Sequence, residues 1–254
     1  MRLVLLGDPV EHSRSPAIQN AALEAAGIEG NYEARRVDAA GMVVAVDEIR
    51  YGRLDGANVT MPHKQLAFEL AGRVSETALR SGAVNTFVRS AGEVWGYNTD
   101  VDGIQSVWTT TGLPDDAPVL ILGTGGAAAG ALVAVAERTV MISGRRDEAA
   151  ADLLAKTRVE GTVVPWGSAI EGAVVINATP LGMKGESIPE EILAAASGFF
   201  DLTYGPAEAP SVVRARSLGI PVADGREMLL AQAAAAFEIW TGVPAPFEVM
   251  RSAF

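Results

Sequence analysis

Pro118-Val119-Leu120-Ile121-Leu122 runs into Gly123-Thr124-Gly125-Gly126-Ala127-Ala128, and an alanine-rich stretch continues from there to residue 137. The apolar run has the length of a buried strand, the glycines mark a tight turn, and the alanines favour helix. A second apolar run at 139–143 restores a strand, so the segment predicts a βαβ unit and with it a parallel sheet. The glycine spacing is that of a dinucleotide-binding turn with alanine in the third glycine position. The first glycine makes the turn, the second lets the backbone approach a pyrophosphate, and the helix N-terminus faces the phosphate charge. A purely structural glycine turn is the competing reading. The strand, helix and second strand in the required order speak against it.

The second strand ends at Gly144-Arg145-Arg146, where a dinucleotide unit that takes NAD places an acidic residue, about 20 residues beyond its glycines, to accept from the ribose 2′-hydroxyl. Two guanidinium groups suit a 2′-phosphate instead, which predicts NADP(H) over NAD. The alternative is that Arg145 and Arg146 are solvated residues at the start of the next helix.

The same alternation of short strands and alanine-rich helices runs through the whole chain, so the fold class is α/β. Strands are expected at 2–6, 32–37 and 55–59, helices at 15–27, 40–50, 64–72 and 75–80, and a hairpin of 83–89 and 93–97 around Ala91-Gly92. Ser15 reads as the N-cap of the first helix, with Pro16 at its first helical position and Gly27 as its stop. Helix 100–112 ends in Gly112-Leu113-Pro114-Asp115-Asp116, the best candidate linker. Further strands are expected at 162–164, 173–176, 198–202 and 220–222, and helices at 225–240 and 244–254. The pattern restarts after that break with the βαβ unit, so the chain divides into two α/β parts.

Composition narrows the classes of function. The chain of 254 residues is nearly half apolar and one-fifth charged, the profile of a globular protein. Cysteine is absent, which excludes disulfides, thiolate metal sites and a cysteine nucleophile, and fits a reducing cytoplasm. The opening MRLVLLGDPVEH holds too short an apolar run for a signal peptide or a spanning helix. A net charge of −11 argues against nucleic acid and anionic membrane as partners, and two histidines without cysteine argue against a metal site.

Asn58-Val59-Thr60-Met61-Pro62-His63-Lys64 gathers an amide, a hydroxyl, an imidazole and an amine at a strand end, which Pro62 terminates by lacking a ladder donor. Lys64 there is a solvated surface residue unless a partner holds it for proton transfer. His12-Ser13-Arg14-Ser15-Pro16 sets two hydroxyls before a helix, where they can converge on an anion. Asn85-Thr86 and Asn98-Thr99-Asp100 lie at strand ends. Each is by itself an ordinary turn cap.

Taken in order, GDPVEHSRSP, NVTMPHK, SGAVNT, GYNTDVDG, GTGGAA, NATPLGM and DGREMLLAQAAAAFEIWTG resemble the shikimate dehydrogenase family over essentially the whole chain. The resemblance implies reversible reduction of 3-dehydroshikimate to shikimate with NADPH, with a small-molecule partner and a monomer or homodimer. It implies two domains as well: a substrate domain with a mixed sheet from 1–102 plus 226–254, and a Rossmann domain from 103–225, with the active site expected in the cleft between them. It implies Lys64 and Asp100 as the catalytic pair, and Ser13 and Ser15 as the hydroxyls that take the substrate carboxylate. Thr60, Asn85 and Gln232 match contacts to the ring hydroxyls, with Tyr204 also near the substrate. Gly123, Thr124, Gly125, Gly126, Ala127 and Ala128 match the pyrophosphate loop, and Arg145 the arginine at the adenosine phosphate. Asn177, Thr179 and Gly225 match loops near the nicotinamide. The chemistry agrees: a polyol acid needs neutral hydrogen-bonding groups, and the alkoxide character that develops during hydride transfer needs an ammonium beside it. In the oxidative direction the same pair accepts a proton, so that rate is expected to climb with pH.

The chain departs from the family at Gln19, where a His-Asn pair is usual, and at Gly144-Arg145-Arg146, where Asn-Arg-Thr is common. A quinate/shikimate dehydrogenase using NAD, an aminoshikimate dehydrogenase and a non-catalytic nucleotide-sensing paralogue are the alternatives. A methylene-tetrahydrofolate dehydrogenase would need a pterin-stacking aromatic, and few aromatics stand near NVTMPHK.

Overall fold

The computed structural model of the chain describes residues 1–205 and 207–254. The first elements are β1 (Arg2–Gly7), α1 (Ser15–Ala25), β2 (Asn31–Arg36), α2 (Ala39–Arg50), β3 (Gly56–Val59) and α3 (Lys64–Leu70). They are followed by β4 (Arg73–Val74), α4 (Glu76–Ser81), the hairpin of β5 (Thr86–Ser90) and β6 (Glu93–Tyr97), and α5 (Thr99–Thr110). Next come β7 (Val119–Leu122), α6 (Gly126–Ala134), β8 (Val140–Ser143), α7 (Asp147–Thr157), β9 (Gly161–Val163) and β10 (Val174–Asn177). The chain closes with α8 (Glu190–Ala195), β11 (Gly198–Asp201), α9 (Pro210–Ser217), β12 (Val222–Ala223), α10 (Gly225–Thr241) and α11 (Phe247–Ser252). These elements form two units, residues 1–102 with 230–254 and residues 103–229. The chain leaves the first unit within α5 and re-enters it within α10.

The first unit holds a mixed sheet in the order β2-β1-β3-β5-β6-β4. β1 runs parallel to β2 and β3, and β5 runs antiparallel to β3 and β6. Ala91 and Gly92 carry φ values of 50° and 82°, the successive left-handed residues that a two-residue hairpin turn needs. At the end of α1, Ile28 N donates to Leu23 O and Gly27 N to Glu24 O, the paired bonds of a glycine-stopped helix. Leu6, Met42, Ile49, Ala57 and Phe87 are fully buried at the centre of the core. Trp240 of α10 closes the other side, its indole N–H donating to Phe87 O at 2.8 Å.

One local expectation needs correction, and one short strand stands outside the expected elements. Ser15 is not the N-cap of α1: Arg14 holds that position, and Ser15 is already helical and buried. No side-chain capping bond closes the helix start; Ser13 Oγ accepts from Ser15 N at 3.2 Å in a local serine turn just before it. β4, which pairs with β6, has only two residues and carries no alternation to read.

The second unit is an all-parallel sheet in the order β12-β11-β10-β7-β8-β9, the doubly wound arrangement in which order reverses beside the first strand. Its central strands VLIL, VVIN and GFFD are buried at every position, as a sheet covered on both faces requires. Residues 112–116 are not a linker. Leu113 is buried, Trp108 Nε1 donates to Asp115 Oδ1 at 3.1 Å, and Arg138 pairs with the same carboxylate at 2.9 Å.

Candidate active site

In the first unit, strand ends and helix starts deliver the polar side chains to one cluster. β3 stops at Val59, and His63 occupies the N-cap position of α3, so Lys64 is the first residue of that helix. His63 Nε2 lies 2.8 Å from Val37 O, which ties the start of α3 to the segment after β2. Asp100 stands in the first turn of α5, where the helix N-terminus favours a carboxylate. Lys64 Nζ donates to Asp100 Oδ2 at 2.6 Å, with side-chain exposures of 18% and 9%. This is a half-sheltered ion pair with its ammonium still reachable, unlike an exposed surface pair.

Asn85 holds the other side of that carboxylate. Its Nδ2 donates to Asp100 Oδ1 at 2.9 Å and to Gln232 Oε1 at 3.2 Å. Its Oδ1 accepts from Thr99 N at 2.8 Å and from Thr86 Oγ1 at 3.0 Å, so the amide cannot rotate without breaking several bonds. Behind it, Asn58 Nδ2 donates to Thr86 Oγ1 at 3.0 Å, and Asn58 Oδ1 accepts from the Tyr32 hydroxyl at 2.8 Å. A buried chain of hydrogen bonds therefore runs from Tyr32 to Lys64. Fully satisfied networks of this kind hold one geometry.

Ser13 and Thr60 occupy the loops that follow β1 and β3, and Ser15 opens α1 at the end of the first of them. Those loops are joined, because Asp8 N donates to Met61 O at 2.9 Å and Thr60 N to Leu6 O at 2.9 Å. Ser13 and Thr60 are half-buried and Ser15 is buried. No hydrogen bond among the described residues joins them to Lys64; they are neighbours by loop, not members of the network.

In the second unit, Gly123 has a φ of 118°, and a Cβ there would stand 2.7 Å from Ala178 O. Only glycine lets the turn pass so close to the next loop. Gly125 is the N-cap of α6, and a Cβ on it would meet nothing within 4 Å, which leaves an open approach to the backbone N–H groups of the first turn. Thr124, Gly126 and Ala127 are half-buried around this turn, and Ala128 is buried behind it. That arrangement fits a pyrophosphate. Arg145 and Arg146 follow β8, both exposed, and neither has an ion-pair partner among the described residues.

Asn177 ends β10 and Thr179 lies in the loop that follows, where Asn177 Oδ1 accepts from Thr179 Oγ1 at 2.6 Å and from Thr179 N at 3.1 Å. Tyr204 and Gly225 line a cavity of about 290 Å³ with Thr203 and Asp224. A Cβ on Gly225 would fall 1.8 Å from Thr203 O, so the start of α10 rests directly on the loop after β11. Sequence reading missed Asp201, which joins these loops through Asn177 and Thr203. The only signal was a polar residue ending an apolar strand, and strand register is needed to set it opposite Asn177. Among the described residues no cluster of His, Asp or Glu could hold a metal ion, and no helix is long and apolar enough to cross a membrane.

Residues 5–87 match the shikimate dehydrogenase substrate binding domain, and residues 225–253 match the shikimate 5′-dehydrogenase C-terminal domain. The shikimate dehydrogenase (NADP(+)) of Desulforamulus reducens is 37% identical over 98% of this chain and 92% of its own length. That of Archaeoglobus fulgidus is 37% identical over 99% of this chain and 96% of its own. Among solved structures, shikimate 5-dehydrogenase from Thermus thermophilus, in complex with NADP(H) and shikimate, superposes with a TM-score of 0.91 at 33% identity, covering 100% of this chain and 98% of that one.

Proposed function

The chain belongs to the shikimate dehydrogenase family, and from that premise we propose that it interconverts 3-dehydroshikimate and shikimate with NADP(H). The observation that carries the reading is the Lys64–Asp100 pair, 2.6 Å apart and backed by Asn85. When bound, NADPH supplies the hydride that reduces the substrate carbonyl.

In the reductive direction the Lys64 ammonium donates a proton to the carbonyl oxygen as negative charge develops there. Asp100 holds that ammonium in place and accepts from a substrate hydroxyl. Asn85, Gln232 and Thr60 present neutral hydrogen-bonding groups to the ring hydroxyls. Ser13 and Ser15 take the carboxylate, and Tyr204 adds a further contact. In oxidation the proton returns to the pair, so alkaline conditions favour that direction.

The turn Gly123–Ala128 takes the pyrophosphate, and the loops bearing Asn177, Thr179 and Gly225 take the nicotinamide half. Arg145 and Arg146 take the 2′-phosphate, which their exposure and lack of competing ion pairs support. Replacing both by alanine is expected to raise KM for NADP⁺ by roughly 10–100-fold, the equivalent of losing charged hydrogen bonds, while KM for NAD⁺ hardly moves. Equal losses with the two cofactors would remove the arginines from this role.

The test of the function is a spectrophotometric assay of the purified chain with shikimate, quinate and aminoshikimate, each against NADP⁺ and NAD⁺. The highest kcat/KM is expected for shikimate with NADP⁺. A preference for quinate with NAD⁺, or for aminoshikimate, would replace this reading with the corresponding alternative.

A further inference from the structure

Asp201 ends β11 with no solvent exposure, in register with Asn177 at the end of β10. Its Oδ1 accepts three hydrogen bonds: from Asn177 Nδ2 at 3.0 Å, from Thr203 N at 2.9 Å and from Thr203 Oγ1 at 2.8 Å. Its Oδ2 is buried without a partner, on the side of Gly182, where a Cβ would stand 3.6 Å away. A buried carboxylate with an orphan oxygen costs stability, so stability alone does not account for it. What it delivers is three donors gathered on one atom. Through them the loop after β10 is fastened to the loop after β11, on whose Thr203 carbonyl Gly225 rests.

We infer that Asp201 is a positioning residue for the reaction, fixing the backbone of Thr179, Tyr204 and Gly225 by holding Asn177 and Thr203 on a single oxygen. The inference rests on the NADP-dependent reading above. Burial makes this carboxyl harder to ionise, and the three donors on Oδ1 offset only part of that. β10, β12 and the loop 177–182 bring no ionisable side chain. Of the charged groups on α9, Arg214 is paired with Glu190, and Arg216 with Glu208 and Asp224. Burial, with a smaller contribution from the Asp224 charge, pushes the Asp201 carboxyl up to about 6.

The test compares the full chain with Asp201→Asn, which keeps an acceptor oxygen, and Asp201→Ala, which removes it. Asp201→Ala is expected to raise the NADPH Kd and the KM for NADP⁺ about tenfold, as loss of a buried acceptor implies, with a smaller change in kcat. Asp201→Asn should stay within about threefold of the parent, since its oxygen still gathers the same donors. Amide exchange at Thr203 and Thr179, which needs no turnover, should accelerate in the alanine variant alone.

A second readout follows from titration. The folded value lies above that of about 3.9 in an unfolded chain. The stabilisation is therefore complete below about pH 4 and lost as pH rises through about 6. The parent's Tm should fall relative to Asp201→Asn across that window. If Asp201→Ala does not fold, Thr203→Val removes one donor and should raise the NADPH Kd several-fold. Unchanged NADPH affinity in the alanine variant, or in Thr203→Val where that variant does not fold, overturns the inference. So does an Asp201→Asn variant as impaired as the alanine. A parent chain that does not oxidise shikimate overturns the functional reading instead, and the exchange measurement still decides the role of Asp201.

Discussion

Lys64→Ala is expected to lower kcat by about 10³-fold in both directions, within the 10²–10⁴ that a positioned proton donor contributes, while KM for shikimate changes only a few-fold. The asymmetry follows from the geometry. Lys64 makes its one strong contact with Asp100, whereas Asn85 is anchored by Thr99 and Thr86 and keeps its place without the lysine. The neutral hydrogen-bonding groups proposed to bind the ring therefore survive, and what disappears, on the proposed mechanism, is the proton at the reacting oxygen. Steady-state kinetics in both directions measure the split, and a small primary amine added to the alanine variant should restore part of the rate. A variant that turns over within about tenfold of the parent would take general acid–base catalysis away from Lys64.

Gly225→Ala is expected to be the most damaging single methyl in the second unit. The added carbon would lie 1.8 Å from Thr203 O, 2.4 Å from Thr203 C and 3.0 Å from Tyr204 N, all of them backbone. No rotamer relieves such a clash, so either α10 or the loop after β11 must move. Overpacking of this kind costs about 3 kcal/mol. For a chain of this size that corresponds to a drop of roughly 6–12 °C in Tm. Because the displaced loop carries Tyr204 and is tied to Asn177 through Asp201, NADPH affinity should fall with stability. Differential scanning calorimetry and an NADPH fluorescence titration test both halves. Parental melting together with parental affinity would show that the loop yields without cost.

Much of the fold is legible in local patterns. The glycine turn between two apolar runs marks the parallel unit, Ala91-Gly92 marks the hairpin, and Gly27 marks the end of α1, each because backbone conformation there depends on neighbouring residues. Contacts made at long range are not legible in this way. Residues 112–116 have the composition of a linker, yet Trp108 and Arg138 hold Asp115 in place. Ser15-Pro16 has the look of a cap and first turn, yet Arg14 is the N-cap residue and the Ser13 hydroxyl meets Ser15 N in a local turn. At the site, Lys64, Asp100 and Gln232 were identifiable by their motifs. Asn58 and Thr86 stand in the motifs too, but their joining with Tyr32 into one network behind Asp100 emerges only once β2, β3 and β5 are brought into register. Asp201 is hidden for the same reason.

The return of the chain at α10 also sets an order of assembly. Gln232, which binds Asn85, and Trp240, which binds the Phe87 carbonyl, are translated only after the whole of residues 103–229. As the nascent chain leaves the ribosome N-terminus first, the parallel sheet of the second unit can close on residues already made. The first unit must meanwhile wait with one wall of its core open. The amide network around Asp100 is thus among the last parts of the molecule to be completed, and a chain interrupted before α10 would carry Lys64 without its finished surroundings.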